Sequence, residues 1–263
     1  MFVFLQKLLP KHLLSRLVGW LAESEIAAIK SPFISIFCLF YRINLDEAER
    51  SRRSDYRSFN DFFTRSLKPG VRHIEGKTCS PADGTVAALG EINDNTLIQS
   101  KKHSYTVGTL LAEDTADFDG GSFITIYLAP HNYHRVHVPK TAELHRTCYL
   151  PGELFSVNQA TAEQLPGLFT RNERLVCRFR TGDGPMAEVL VGAMLVAGIK
   201  PIWLDRAYKP RLEVTTEMKR IFQQGEELGQ FQMGSTVILL FSQRVSFCVE
   251  EGEEVRFGQP ITA

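Results

Sequence analysis

The chain of 263 residues carries 30 Lys and Arg against 30 Asp and Glu, so its formal charge at neutral pH is zero. That excludes the strong basic field by which proteins gather nucleic acid, and 44% hydrophobic with 23% charged residues excludes a disordered chain. The five cysteines (Cys38, Cys79, Cys148, Cys177 and Cys248) are scattered, odd in number and without a CxxC pair, which argues against a disulfide framework or a thiolate zinc site and for a reducing compartment.

Residues 1–45 differ from the rest. Pro10 is placed to open a helix, because the first helical position donates no intrahelical bond. Leu13, Leu14, Leu17, Val18 and Leu21 then fall on one helical face, with Lys11, His12, Ser15, Arg16 and Gly19 opposite. Upstream, Phe2, Val3, Phe4, Leu5, Leu8 and Leu9 add bulk around Lys7. A second start at Ser31-Pro32 leads into Phe33, Ile34, Ile36, Phe37, Leu39, Phe40 and Tyr41, apolar almost all round. Lys7, Lys11 and Arg16 interrupt any signal-peptide core, and no uncharged apolar run reaches the ~18 residues of a membrane span. Two uses remain: helices packed on the body or on a second subunit, or an interfacial anchor. Burying five large apolar side chains at roughly 1.5–3 kcal/mol each gives a gross term of order 10 kcal/mol. Only part of it is realised at a headgroup boundary, with ~1 kcal/mol more per Lys or Arg near anionic lipid. That suffices for peripheral binding and not for permanent insertion.

Residues 46–55 are charge-dense, as in a solvated helix end or linker. Ser58-Phe59-Asn60-Asp61 resembles a cap that opens a short helix through Phe62, Phe63 and Leu67, closed by Pro69-Gly70. From Cys79 onward the pattern becomes β, with runs at 85–92, 122–129, 142–150, 175–179, 187–199 and 237–241 separated by turn formers such as Asn93-Asp94-Asn95, Gly182-Asp183-Gly184 and Gly225. Only 154–169 and 205–209 read as helical or irregular. Neither βαβ alternation nor a GxGxxG or P-loop occurs. Gly225-Glu226-Glu227 returns as Gly252-Glu253-Glu254, which suggests two related β-turns. The expected class is α+β: a β-rich catalytic domain over 46–263, with sandwich- or barrel-like sheets, preceded by N-terminal amphipathic helices over 1–45 that associate with a membrane.

Three places can carry chemistry. Ser80-Pro81-Ala82-Asp83-Gly84 is a tight turn that sets one carboxylate at the mouth of a strand, and Asp-Gly is also an ordinary turn pair. The run from His131 to His137 holds three of the seven histidines. On a strand, three-residue spacing sends His134 and His137 to opposite faces, which disfavours zinc and favours acid–base work by one or two imidazoles. Met233-Gly234-Ser235-Thr236 directly precedes an apolar strand; it is not a GxSxG elbow.

In this order, Ser80–Gly84, Tyr133-His134-Arg135-Val136-His137 and Gly234-Ser235-Thr236 resemble the motifs of bacterial membrane-associated, pyruvoyl-dependent phosphatidylserine decarboxylases. Further matches are Phe59–Phe63, Pro151–Asn158, Asn172-Glu173-Arg174 and Val191-Gly192-Ala193, so the similarity runs from about Leu9 to Pro260; Met233 stands where leucine is usual. The resemblance implies self-cleavage between Gly234 and Ser235 into a β chain of residues 1–234 and an α chain of residues 235–263, by an Asp83–His137–Ser235 triad in which Asp83 orients His137. It implies that Ser235 becomes a covalently bound pyruvoyl cofactor, which forms a Schiff base with the substrate and takes the electrons released with CO2, as pyridoxal phosphate does elsewhere. It further implies His134 as the acid that reprotonates the substrate carbon, Tyr127 and the Phe155-Ser156-Val157 loop around the serine headgroup, and no metal. The expected partners are phosphatidylserine in the bilayer, the α/β heterodimer made from one chain, and a homodimer of that unit on the cytoplasmic side of the cell membrane, with no nucleic acid. Competing expectations are a pyruvoyl decarboxylase of a soluble amino acid, a zinc hydrolase built on residues 131–137, and a non-enzymatic β-rich membrane adaptor.

Overall fold

The computed structural model describes residues 11–41, 43–193, 198–208, 212–232 and 235–263, with side chains from Leu17 onward. Phe2–Leu9, Pro10, the 194–197 part of the 187–199 run, Lys209 and Met233-Gly234 lie outside the described residues, as do the side chains of Lys11–Arg16.

Two helices, α1 (Lys11–Glu23) and α2 (Ala27–Tyr41), precede the sheets. α2 begins four residues before the expected Ser31-Pro32 start and carries Pro32 inside it, at the cost of one intrahelical bond. Its apolar surface divides. Ile34, Phe37 and Cys38 are buried with Phe59, Phe62 and Phe63 of α3 (Phe59–Phe63), while Ile36, Leu39, Phe40 and Tyr41 are exposed. α3 starts as expected: Ser58 caps it by accepting from the Asp61 N–H at 3.2 Å. It stops at Thr64 rather than at Leu67. The charged stretch before it is neither helix end nor loose linker. Ala48 bridges Leu67, Arg50 forks onto both oxygens of Asp61 at 2.6 Å, and Glu47 accepts from Arg72 at 2.8 Å.

The body is an eight-stranded antiparallel sheet. Its strands are β1 (Gly84–Glu91), β4 (Ser122–Leu128), β6 (Ala142–Leu150), β7 (Arg174–Thr181), β8 (Gly184–Gly192), β10 (Val214–Phe222), β12 (Ser235–Phe241) and β13 (Glu254–Val255), in the order β10-β6-β7-β8-β12-β4-β1-β13. One face packs on a three-stranded sheet, β5 (Arg135–His137), β11 (Glu227–Phe231) and β9 (Ile199–Pro201), through a core that includes Val136, Phe231, Ile199, Leu190, Val237 and Leu239. The other face is covered by the hairpin β2 (Thr96–Ser100) and β3 (His103–Thr106) and by three short helices, α4 (Val107–Leu111), α5 (Gln159–Ala162) and α6 (Leu168–Arg171). Because both faces of β12 are covered, all seven of its residues are buried, and the unbroken run Val237–Phe241 is what such a strand requires. The repeated Gly-Glu-Glu elements are equivalent turns. Glu226 N–H bonds to Gln223 O and Glu253 N–H to Glu250 O, with Gly225 and Gly252 at φ of 82° and 91°. The architecture is the expected α+β class, rich in strand after N-terminal helices.

Candidate active site

Ser235 is the first residue of β12 and stands between Gly192 of β8 and Leu128 of β4. Alternation puts it on the face of Val237 and Leu239, toward the small sheet, whereas Thr236 turns to the other side with Ile238 and Leu240. Ser235 is fully buried, and among the described residues its Oγ has no hydrogen-bond partner. A hydroxyl withdrawn from water and left unpaired costs about 1–3 kcal/mol, so this one marks a place where stability has been given up.

The histidine run divides as its spacing predicts. Ala129 and Asn132 close the turn after β4, the Ala129 N–H donating to Asn132 Oδ1 at 2.7 Å, and His131 stays exposed. His134 shares a face with Val136 and is fully buried, its ring 4.0 Å from that of Phe63. Its Nδ1–H donates to Asn132 O at 2.9 Å, and its Nε2 is buried with no partner among the described residues. Burial, with Arg65 nearby, pushes its pKa down to about 3, so at neutral pH it is an uncharged imidazole with a free lone pair. The Phe231 N–H bonds to His134 O at 3.0 Å. Ser235 follows Phe231 by four residues, a reach of at most ~14 Å.

His137 leaves β5 on the opposite side. Its ring stacks on Phe257 at 3.6 Å, its Nδ1–H donates to Gly225 O at 2.9 Å, and its Nε2 accepts from the Tyr133 hydroxyl at 3.0 Å. Burial lowers its pKa to about 3 against the pull of the Gly225 carbonyl.

Asp83 is close to His137 without bonding to it. The His137 N–H reaches Pro81 O at 2.9 Å, within the turn that Ser80 Oγ tightens by donating to Ala82 O at 2.7 Å. The Asp83 carboxylate accepts from Arg72 at 2.9 Å and from the Phe257 N–H at 2.8 Å. It thereby supports the residue whose ring covers His137. Gly84 must follow it, since a Cβ there would stand 2.5 Å from Tyr127 O. Among the described residues no hydrogen bond joins the side chains of Asp83, His137 and Ser235. A cavity of 310 Å³ is bordered by Asp83, Arg72, Arg65 and Tyr133, and neither Ser235 nor His134 lines it.

Comparison with known proteins settles the family. A family model described as phosphatidylserine decarboxylase matches residues 59–263, and a second, described as PSD, matches residues 1–42. The chain belongs to the phosphatidylserine decarboxylase family. It is 47% identical to a phosphatidylserine decarboxylase proenzyme of Shewanella sp. (strain ANA-3), over 98% of this chain and 94% of that one. A proenzyme of the same description from Alcanivorax borkumensis is 47% identical over 97% and 93% of the two chains, and one from Pseudomonas putida 45% over 100% and 97%. This member of the phosphatidylserine decarboxylase family is therefore an enzyme, a decarboxylase.

The residues expected around the headgroup lie less simply. Tyr127 pairs with Thr236 and is half-buried, and Phe155 and Val157 are buried; all three belong to the core on the face away from the Ser235 hydroxyl, with Ser156 between the latter two half-buried. Their loop is nevertheless tied to the site through its backbone. Asn172 accepts from the Phe155 N–H at 3.1 Å and donates to Phe155 O at 2.8 Å and to Gly192 O at 2.9 Å. Tyr133 and Asn172 enter the sequence reading only as motif matches with no role attached, and Phe257 not at all, because the partners of Asn172 and Phe257 lie 17 or more residues along the chain and the Tyr133–His137 bond depends on how the turn after β4 folds. Among the described residues no three His, Cys, Asp or Glu side chains gather at metal-binding distance, and His134 and His137 point to different sides.

Proposed function

We propose that the chain decarboxylates phosphatidylserine to phosphatidylethanolamine after cutting itself between Gly234 and Ser235. The observation that carries the reading is the Ser235 hydroxyl at the start of β12, buried and unpartnered among the described residues, in a family whose near relatives are described as proenzymes. In the first step the hydroxyl loses its proton to an imidazole and attacks the Gly234 carbonyl. The C–N bond breaks, and an ester replaces the amide. His137 is the base the motif points to, with Asp83 holding the Phe257 platform beneath it; for this role its Nε2 exchanges the Tyr133 hydroxyl for that of Ser235. β-Elimination then releases the carboxylate of residue 234, and water displaces ammonia to leave a pyruvoyl group at the new N-terminus. The site suits such a group, because Ser235 is held on a strand beside an apolar core and, among the described residues, no side chain is bound to its Oγ. Once formed, its carbonyl supplies the electron sink for loss of CO2. His134 keeps the proton account. Its Nε2, unpartnered among the described residues, takes up a proton only once the negative charge of the bound substrate offsets the burial that keeps the imidazole neutral, and delivers it to the substrate carbon.

Intact mass spectrometry and a denaturing gel test this reading together. The wild-type chain is expected to give fragments of residues 1–234 and 235–263, the latter starting with pyruvoyl. Ser235→Ala and His137→Ala are expected to stay whole, and His134→Ala to be cut but inactive. An active wild-type preparation that is one intact chain with an ordinary serine at 235 refutes it.

The lipid substrate gives the helices their use. Among the described residues no single helix is long and apolar enough to cross a membrane, yet Leu17, Trp20, Ile26, Ile36, Leu39, Phe40 and Tyr41 are all exposed. Such a surface fits the acyl boundary of a bilayer, where the body can take a headgroup without drawing the chains into water at ~0.8 kcal/mol per CH2. We assign these helices to peripheral binding on the cytoplasmic face. Trp20→Ser with Phe40→Ser is expected to lower sedimentation with anionic vesicles several-fold while cleavage proceeds; unchanged sedimentation refutes the assignment.

A further inference from the structure

The sheet row that contains Ser235 has a gap beside it. Its partner on β8 is Gly192, and the space above that glycine is filled from the next strand: a Cβ on Gly192 would stand 2.8 Å from both Cγ and Oε1 of Glu173. Glu173 immediately precedes β7 and accepts the Gly192 N–H at its own carbonyl, at 2.9 Å, while Asn172 Nδ2 donates to Gly192 O at 2.9 Å. Both polar backbone groups of Gly192 therefore point away from β12. Gly192 and Ser235 form a non-hydrogen-bonded pair, in which Cα atoms approach to ~4.5 Å and the two Cα–H bonds face one another. Residues paired in this way carry their side chains on one face. The Glu173 carboxyl thus lies across Gly192, on the face of the Ser235 hydroxyl and over the partner toward which the Ser235 Cα–H points.

The carboxyl has the chemistry for that place. Glu173 is 2% exposed. Its Oε2 accepts from the Tyr149 hydroxyl at 2.9 Å, and the Tyr149 ring is itself backed by Tyr208 at 4.4 Å. Its Oε1 is buried with no partner among the described residues. Burial raises its pKa to about 7, with the Tyr149 hydroxyl holding it down, so at neutral pH the group can both take and release a proton. A glutamate kept merely to fill the gap would not require an unpaired oxygen.

We propose that Glu173 is the base that removes the Cα proton of Ser235 during self-processing. This rests on the reading that Ser235 is the residue cleaved and converted. Once the hydroxyl holds the acyl group of residue 234, the Cα–H proton passes to Glu173 and the C–H electrons form the Cα=Cβ bond. The Cβ–O bond breaks, and its electrons leave on the new carboxylate of Gly234. Water then adds and ammonia departs.

The test follows full-length chain made by cell-free synthesis at pH 7.5, quenched in time and divided for intact mass with and without hydroxylamine, which cuts an ester but spares an amide. Wild type gives the pyruvoyl fragment 235–263. Glu173→Gln is expected to form the ester but to yield the pyruvoyl fragment ~100-fold more slowly, and hydroxylamine releases a fragment that still begins with serine. Glu173→Asp is expected to recover part of the rate. Pyruvoyl formation at the wild-type rate in Glu173→Gln overturns the proposal, and so does a block with no ester, which places Glu173 before elimination. Should Glu173→Gln not melt cooperatively, Glu173→Asp carries the test, supporting the role if ester accumulates and overturning it at wild-type rate. Ser235→Ala separates the two readings: its cleavage, or an uncut wild type, refutes the role of Ser235 and the Glu173 role with it, whereas a processed wild type matched in rate by Glu173→Gln refutes the Glu173 role alone.

Discussion

Glu188→Gln is expected to stabilise the protein at neutral pH and not in acid. Glu188 lies in β8 between Cys177 of β7 and Leu239 of β12, on the face that packs against the small sheet. It is fully buried, and neither carboxylate oxygen has a partner among the described residues. Burial holds its pKa well above 4.5. The folded state thus keeps a proton that the unfolded state releases above about 4.5, so the stability tied to this proton is fully present below that value and is lost as pH rises toward the folded pKa. Above about 4.5 the cost of keeping that proton grows by at most ~1.4 kcal/mol per pH unit until the folded carboxyl itself ionises. Glutamine has the same shape and leaves the same kind of unpaired polar group, but it does not ionise. The pH dependence of the difference therefore isolates the proton. Urea unfolding at pH 5, 6 and 7, in the Ser235→Ala chain so that cleavage does not intervene, is expected to show the Gln variant gaining steadily on its parent as pH rises from 5, by no more than ~1.4 kcal/mol per pH unit. Parallel profiles, or a variant that loses ground as pH rises, refute the reasoning.

Gly84→Ala sets a methyl group against a backbone carbonyl at 2.5 Å, so β1 and β4 must part. A loss of about 2–4 kcal/mol is expected, read as a lower urea midpoint with cleavage slowed. His137 behaves with the opposite sign to Glu188. Its pKa falls from 6.5 to about 3 on folding, so its stability is present above pH 6.5 and lost as pH drops toward 3. In the Ser235→Ala background, His137→Gln is expected to gain ~2 kcal/mol on its parent between pH 7 and 5, and a constant difference over that range refutes the burial argument.

Elements whose own residues satisfy them were legible in the chain. The fully apolar run of β12 needs cover on both faces and says so, Ser58 caps α3 through a bond three residues long, and the Gly-Glu-Glu turns close within four residues. β10 was not, because it is an edge strand whose residues are mostly exposed and polar. β5 and β13, of three and two residues, are too short for any period to register. α2, apolar all round, does not state which side meets α3 and which stays exposed; contact with Phe59, Phe62 and Phe63 decides that.

The site divides in the same way. That His134 and His137 face opposite sides follows from the two-residue period of a strand, and the motifs around Asp83, His137 and Ser235 were sufficient to place the chain among the phosphatidylserine decarboxylases. Which groups those side chains meet was decided by the fold alone. Asp83 binds Arg72 and the Phe257 backbone, and Glu173 leans across Gly192 beside Ser235, because strands distant in sequence become neighbours in the sheets. Periodicity speaks only for residues a few positions apart, whereas burial and an unpaired oxygen are properties of what the rest of the chain leaves around an atom.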